Sequence, residues 1–325
     1  MIVASHRQYN PMPTLIPYAK PAGPHCLQAL PELRLPNLSS LLHLLTAGTR
    51  QTCEEDSLTP LFERLHAQAL GLTDADGLLP WAALDAAQLQ LPAAPDGHGW
   101  AWLTPCHWQV NSDHVRMAHL ADLHTSDAEL HTLLDAMRGF FAEDGITVHA
   151  LQGGHWLASG AAFYNLPTAS LSRAAGGAVD HWMPRQEQAR PLRRLQNEMQ
   201  MLLYSHPVND ARSAAGQLTI NSFWVSGTGS AGATAPAPAH STTLINALQE
   251  AALRDDAAAW TQAWQALDAG PIAELLHEAR VDSPVALTLC ADNSARTFSL
   301  QAQGLWSRMR HRFASTDAIA VLQDI

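Results

Sequence analysis

The 325-residue sequence predicts an α/β fold with a mostly parallel central sheet flanked by helices. Three observations carry this. Short apolar runs alternate with helix-period segments from end to end, the pattern of strands joined by crossover helices. With 47% hydrophobic and 15% charged residues, the chain can fill a sizeable core, which a disordered chain cannot. No internal repeat is visible, so a solenoid or propeller is not indicated.

The elements follow in order. PTLIPYA (13–19) reads as a short buried first strand, followed by a Pro/Gly-rich connection. LPNLSSLLHLL (35–45) reads as a helix capped by Asn37 or Ser39, with leucines recurring at helical spacing. Residues 57–72 form a second helix with Pro60 in its first turn and Gly71 near its end, and 81–91 a third. HGWAWLTPCHWQV (98–110) has strand character, broken at Thr104-Pro105. Residues 126–145 form a helix with Ser126 and Glu129 in capping-box register and Gly145 beyond its end. ITVHAL, HWLASG and AAFYNL then read as short strands.

In 187–205, Leu192, Leu195, Met199, Leu202 and Leu203 make one buried stripe, and Pro207 ends the helix. LTINSFWVSG (218–227) reads as a strand. Two Ala-rich helices (242–253 and 256–267) and a third (271–279) precede strands at 283–292, 296–302 and 318–323. The organisation expected is a main α/β region over 1–227, a flexible Gly/Ala/Pro loop over 228–241, and a C-terminal part, 242–325, that completes the same sheet.

Bulk chemistry removes several function classes. A net charge of -11 argues against nucleic acid as a partner. Arg185, Arg190, Arg193 and Arg194 are close in sequence but also fit one solvated helix face. Cys26, Cys53, Cys106 and Cys290 form no Cys-x-x-Cys pair, so a zinc ribbon or redox dithiol is not indicated. No run of about 18 apolar residues suggests a membrane partner, and the N-terminus lacks a signal-peptide core. A cytoplasmic protein with reduced thiols is expected. No phosphate-cradling Gly-rich motif and no nucleophile elbow is present.

Residues 203–229, LYSHPVNDARSAAGQLTINSFWVSGTG, form the densest polar passage, expected to be mostly non-helical. Arg212 suits bidentate pairing with a carboxylate or phosphate, and Asn209 and Asn221 can donate and accept at a ligand's oxygens. His206, Asp210 and Ser222 complete a candidate ligand-binding set, and Ser226 to Gly229 offer backbone N–H groups to an anion. The alternative is a turn at His206-Pro207-Val208-Asn209 satisfied by its own side chains. Asp113 and His114 close a second cluster, and Asp292 sits at a strand end where α/β folds place ligands. These three are the candidate metal ligands. Asp180-His181-Trp182 reads as a hydrophobic anchor for the helix after it.

Three passages resemble the archaeal-type cofactor-independent phosphoglycerate mutases of the alkaline-phosphatase superfamily. SHPVNDARSAAGQLTINSFWVSGTG (205–229) is similar to their His-Pro-x-Asn-x-x-Arg, Gly, Asn and Gly-x-Gly segment, LPNLSSLLHLL to their Pro-Asn-Leu helix, and SPVALTLCADNS (283–294) to their strand ending in Asp-His-Ser. The chain as a whole resembles the RpfE-type regulatory proteins of proteobacteria through LRLPNL, TPCHWQV, DHV, RLQNEMQMLLYSHPVND and NSFWVSG. The resemblance implies an alkaline-phosphatase-like sheet, with truncation left open.

It also implies a metal pair and a phosphoryl-accepting serine, and there this sequence departs. The first strand runs Leu15-Ile16-Pro17-Tyr18-Ala19, where those mutases have Asp-Gly, and Asn293 replaces their histidine. Without such ligands metal-dependent phosphoryl transfer loses its charge stabilisation. The expectation is a mutase-like protein without that catalysis, holding a small phosphate or carboxylate metabolite in a regulatory role. One alternative is an active phosphomutase or phosphatase using Mn or Zn on relocated ligands. The other is a protein–protein interaction module.

Overall fold

The computed structural model describes residues 13–72, 75–111, 113–151, 153–229, 242–281, 283–300 and 316–325. In chain order the elements are β1 (Pro13–Ile16), α1 (Pro24–Ala29), α2 (Pro36–Leu44), β2 (Thr46–Thr52), α3 (Leu61–Ala69), α4 (Trp81–Gln88), β3 (Gly99–Cys106), β4 (Trp108–Val110), β5 (Val115–Met117), α5 (Asp127–Glu143), β6 (Thr147–Ala150), β7 (Trp156–Gly160), α6 (Leu171–Ala174), α7 (Arg190–Leu203), α8 (Pro207–Ala214), β8 (Ser222–Gly229), β9 (Thr243–Leu244), α9 (Gln249–Leu253), α10 (Ala257–Ala269), α11 (Pro271–Arg280), β10 (Ala286–Cys290), β11 (Ser294–Ser299) and α12 (Ala318–Asp324). They fall into two units. One combines described residues 13–55 and 61–71 with those from 242 onward. The other takes 56–60 and the described residues of 72–229.

The first unit is an α/β sheet of five strands in the order β2-β11-β10-β1-β9. Its centre is parallel: β1 pairs with β10 (Ile16 opposite Leu289) and with β9 (Leu15 opposite Leu244). β11 and β2 extend it antiparallel. Both central strands are almost continuously apolar and buried, as strands covered on both faces must be. Leu38, Leu41, Leu42, Trp260, Trp264 and Leu276 from the helices join Ile16, Leu287 and Leu289 in one core.

Carboxylates from distant residues cap this unit's helices. α2 opens at Pro36 with no local side-chain cap. Instead Asp268, in the last turn of α10, accepts from Leu38 N–H at 2.8 Å and Asn37 N–H at 3.2 Å, and Asn37 Nδ2 donates to the Asp268 carbonyl. An acid in a last turn opposes its own helix dipole, and here the α2 N-terminus compensates it. Asp255 accepts from the His25 and Cys26 N–H groups at the start of α1. Burial alone would raise the Asp255 carboxyl, but these bonds and the His25 ring outweigh it and hold it at about 2. Gly23 makes this approach possible, because a Cβ there would lie 2.2 Å from Asp255 Oδ1. Lys20, the only lysine in the sequence, donates from Nζ to the Gln323 and Ile325 carbonyls at the end of α12.

The second unit has a four-stranded sheet, β6-β7-β3-β8, antiparallel at each pair. Alternation along β8 builds two cores: Phe223 and Val225 face α5 and α7, whereas Trp224 faces the opposite side. The expected break at Thr104-Pro105 does not occur; the strand runs to Cys106 and is interrupted at His107 instead. Pro105 lies beyond the last β7 partner, Trp156, so no ladder bond is lost to its missing N–H on that side.

Other local expectations are corrected. Residues 318–323 are helical: Asp317 caps Ile319 N–H, and Ala318, Leu322 and Ile325 are buried at helical spacing. Residues 161–163 form a 3-10 turn rather than a strand, and Pro207 begins α8 instead of merely ending α7. The expected Gly/Ala/Pro loop falls almost entirely on 230–241, outside the described residues, and its first two residues close β8.

Asp268→Ala should remove the α2 cap and cost about 2 kcal/mol in denaturant unfolding, with Asp268→Asn milder because one acceptor oxygen survives.

Candidate functional site

The polar passage is built as a connector between α7 and β8. α7 ends at Leu203, and His206 caps α8 by accepting from Val208 N–H on Nδ1 at 3.3 Å. The passage is thus half helical, because Pro207 with its fixed φ suits a first turn. Asp210 lies exposed in that turn, where a negative charge meets the favourable end of the helix dipole.

Asn209 is buried. Its Nδ2 donates to the carbonyls of Leu203 and Ile220, both at 2.9 Å, and its Oδ1 accepts from Ile220 N–H at 2.9 Å. One side chain therefore ties the end of α7 to the chain leading into β8. Asn221 acts similarly across the β3–β4 break: Oδ1 accepts from Trp108 N–H at 2.7 Å and Nδ2 donates to the Trp108 carbonyl at 2.9 Å. A side-chain amide takes the place of a strand's backbone where the ladder is interrupted.

Arg212 is 1% exposed. Its Nε donates to the Leu218 carbonyl at 2.7 Å, Nη1 to Glu129 Oε1 at 2.9 Å, and Nη2 to the Leu123 carbonyl. The other Glu129 oxygen accepts from the Ser126 N–H and hydroxyl, closing the capping box of α5. Burial would raise the Glu129 carboxyl, but the Ser126 and Arg212 hydrogen bonds and the guanidinium charge outweigh it and hold it below the ordinary range. The sequence displays the capping box, but nothing in the residue spacing links Glu129 to Arg212.

The Gly-x-Gly is part of β8. A Cβ at Gly229 would come within 2.4 Å of the Leu78 carbonyl oxygen, and one at Gly227 within 2.9 Å of the Trp102 ring. Thr228 donates to the Leu166 carbonyl at 2.6 Å. These glycines permit close packing within a paired strand. Ser222 opens the strand opposite Cys106, fully buried.

The predicted ligand set is thus brought together in sequence order, but Asn209, Arg212 and Asn221 spend their polar atoms on the fold. Asp113 and His114 sit at the exposed end of the β4–β5 hairpin, joined to each other at 2.7 Å, with His114 also beside Asn111. Asp292 belongs to the other unit, between β10 and β11. Among the described residues no group of three or more His, Cys, Asp or Glu is placed to hold a metal ion. Arg185, Arg190, Arg193 and Arg194 each bond a nearby carbonyl or carboxylate. Asp180 accepts from Val115 N–H, and Trp182 packs on the cluster of Cys106 and Trp224, which holds no α7 residue, rather than on the helix that follows it. No described helix is long and apolar enough to cross a membrane.

At the carboxyl ends of the parallel strands, Tyr18 adopts φ +57° and lays its ring against Phe62, 5.7 Å between centroids. Its carbonyl accepts from Trp260 Nε1, and Ala19 N–H donates to the Cys290 carbonyl. Burial pushes the Cys290 thiol up to about 12, so it stays protonated at neutral pH.

Two outcomes follow. Arg212→Met, which leaves Glu129 and two carbonyls without their partner, should cost about 3–5 kcal/mol in denaturant unfolding. Because the Glu129 carboxyl is held low in the folded state, its contribution is complete above about pH 4.3 and fades as pH falls through the lower folded-state value. The stability lost between pH 7 and pH 3.5 should be smaller in Glu129→Gln than in the wild type.

No protein-family model matches the sequence, and no curated protein does. Among solved structures, the chain is distantly similar to the PH0037 protein from Pyrococcus horikoshii, at 11% identity over 89% of this chain and 87% of that one, with a TM-score of 0.46. It is also distantly similar to the cofactor-independent phosphoglycerate mutase from Thermoplasma acidophilum DSM 1728, at 12% identity over 96% and 95% of the two chains, with a TM-score of 0.36.

Proposed function

We propose that this chain is a phosphoglycerate mutase-like protein without metal-dependent phosphoryl transfer, acting by binding in a regulatory role. The observation that carries this is the composition of the carboxyl ends of β1 and β10. Adjacent parallel strands there deliver Tyr18-Ala19 on one side and Asp292-Asn293-Ser294 on the other. That is a single carboxylate where a phosphoryl transferase needs several converging ligands around its cations. The Tyr18 ring, packed on Phe62, occupies apolar surroundings. Asp113 and His114, the candidate replacements, are already paired with one another.

Binding of a small phosphate or carboxylate compound at 206–222 requires Arg212 to exchange Glu129 for the ligand. His206 and Asp210 need no such exchange, since they lie partly or fully exposed. The commitment of Arg212 to Glu129 therefore counts against a small-anion site centred on that guanidinium.

Purified protein supplied with Mn and Zn should retain neither stoichiometrically and should not interconvert 2- and 3-phosphoglycerate. Stoichiometric metal with turnover overturns the reading. If phosphate esters raise the melting temperature, and Arg212→Lys abolishes the rise while Glu129→Gln enlarges it, the bound species is a small anion held at this segment.

A further inference from the structure

The sheet of the first unit ends on one side at β2, whose one strand partner among the described residues is β11. Six of its seven residues are exposed, and it contains no proline and no lysine. Edge strands are usually blunted by such residues or by bulges, because their outward N–H and C=O groups can pair with another chain. Here the blunting stops short. The register shifts between Ala47 and Arg50, where Gly48 and Thr49 stand against Thr297 alone. That bulge bends the strand before Arg50 and leaves a regular ladder from there on.

One bond fixes which backbone groups face outward. Cys53 N–H donates to the Asn293 carbonyl at 2.9 Å, in the register that sets Thr52 against Ser294 and Arg50 against Arg296. Antiparallel pairs alternate between bonded and non-bonded, so Gln51 and Cys53 turn their backbone groups to β11. Arg50 and Thr52 turn theirs away from the sheet. The charges along this edge are also unmatched. Arg50 lies opposite another guanidinium, that of Arg296, which is itself paired with Asp324. Its one hydrogen bond among the described residues runs from Nη2 to the Ser294 hydroxyl at 3.3 Å. Glu54, exposed just past the strand, has no cation partner among the described residues. Strand geometry separates Arg50 from Glu54 by about 13 Å, so the two cannot meet within one chain.

We propose that β2 pairs with β2 of a second copy of this chain, antiparallel across a two-fold axis at Thr52. Charge selects the position of the axis. With the axis at Thr52, Arg50 of each copy lies directly opposite Glu54 of the other. An axis at Gln51 sets Arg50 against Thr52, and one at Arg50 sets two guanidiniums together. Of these three registers, the first alone places opposite charges across from each other, which stabilises a strand pair. The reciprocity of Arg50 and Glu54 is what an isologous interface requires. The two five-stranded sheets become one, and the groups that Arg50 and Thr52 turn outward gain partners. Pairing over 50–54 alone is a small interface, so a dissociation constant in the micromolar to millimolar range is expected.

Sedimentation equilibrium of the full chain, taken up to about 1 mM, should show a reversible dimer. Arg50→Glu and Glu54→Arg should each raise its dissociation constant about tenfold or more, because like charges replace opposite ones at both ends of the pairing. The double variant Arg50→Glu/Glu54→Arg should return it close to the wild-type value. Thr52→Pro removes an N–H that the β11 ladder does not use, so the chain should stay folded and lose the dimer. In the wild type the Thr52 amide should exchange slowly when concentrated and quickly on dilution. A chain that stays monomeric up to that concentration overturns the proposal. So does a dimer that is indifferent to charge reversal at Arg50, or one in which the Thr52 amide exchanges as fast as in the monomer.

Discussion

The second unit depends on one ion pair placed where three chain segments meet. Arg212 comes from α8, Glu129 from the first turn of α5, and the carbonyls of Leu123 and Leu218 from the connections on either side. A guanidinium buried to 1% exposure is costly to desolvate, and only a carboxylate with properly directed carbonyls offsets that cost. Glu129 is itself fixed by Ser126, so helix capping and tertiary locking use the two oxygens of one side chain. The placement of α8, and through Asn209 the approach of the chain to β8, follows from this arrangement.

The first unit reaches the same end by different means. Asp255 and Asp268 each close a helix N-terminus more than two hundred residues earlier in the chain. Local sequence would have placed the caps at Asn37 or Ser39. Asn37 does take part, but as a donor to the Asp268 carbonyl. Carboxylates contributed from afar make the helix starts sensitive to the fold being complete.

Much of the architecture was legible because it rests on periodicity. The stripe Leu192, Leu195, Met199, Leu203 and the run from Ala286 to Cys290 announce a helix and a buried strand. Short apolar segments were less so: 318–323 fits either period until Asp317 is seen capping it. β2, Thr-Ala-Gly-Thr-Arg-Gln-Thr, has no apolar signal, since six of its seven residues are exposed and it is held by the β11 ladder. The polar passage was conspicuous in sequence, yet its chemistry was not readable there. Whether an arginine meets a ligand or a glutamate 83 positions away is decided by packing, and no residue spacing encodes it.

Lys20 carries a different kind of consequence. As the chain's only lysine, with its ammonium held by two carbonyls at the end of α12, it gives the protein one side-chain amine whose reactivity depends on how α12 is seated. Acylating reagents aimed at lysine would modify a single side chain here, and doing so would remove the donors that hold that helix end. The extent of acylation therefore reports how often the ammonium leaves those two carbonyls, without any label having to be engineered into the protein.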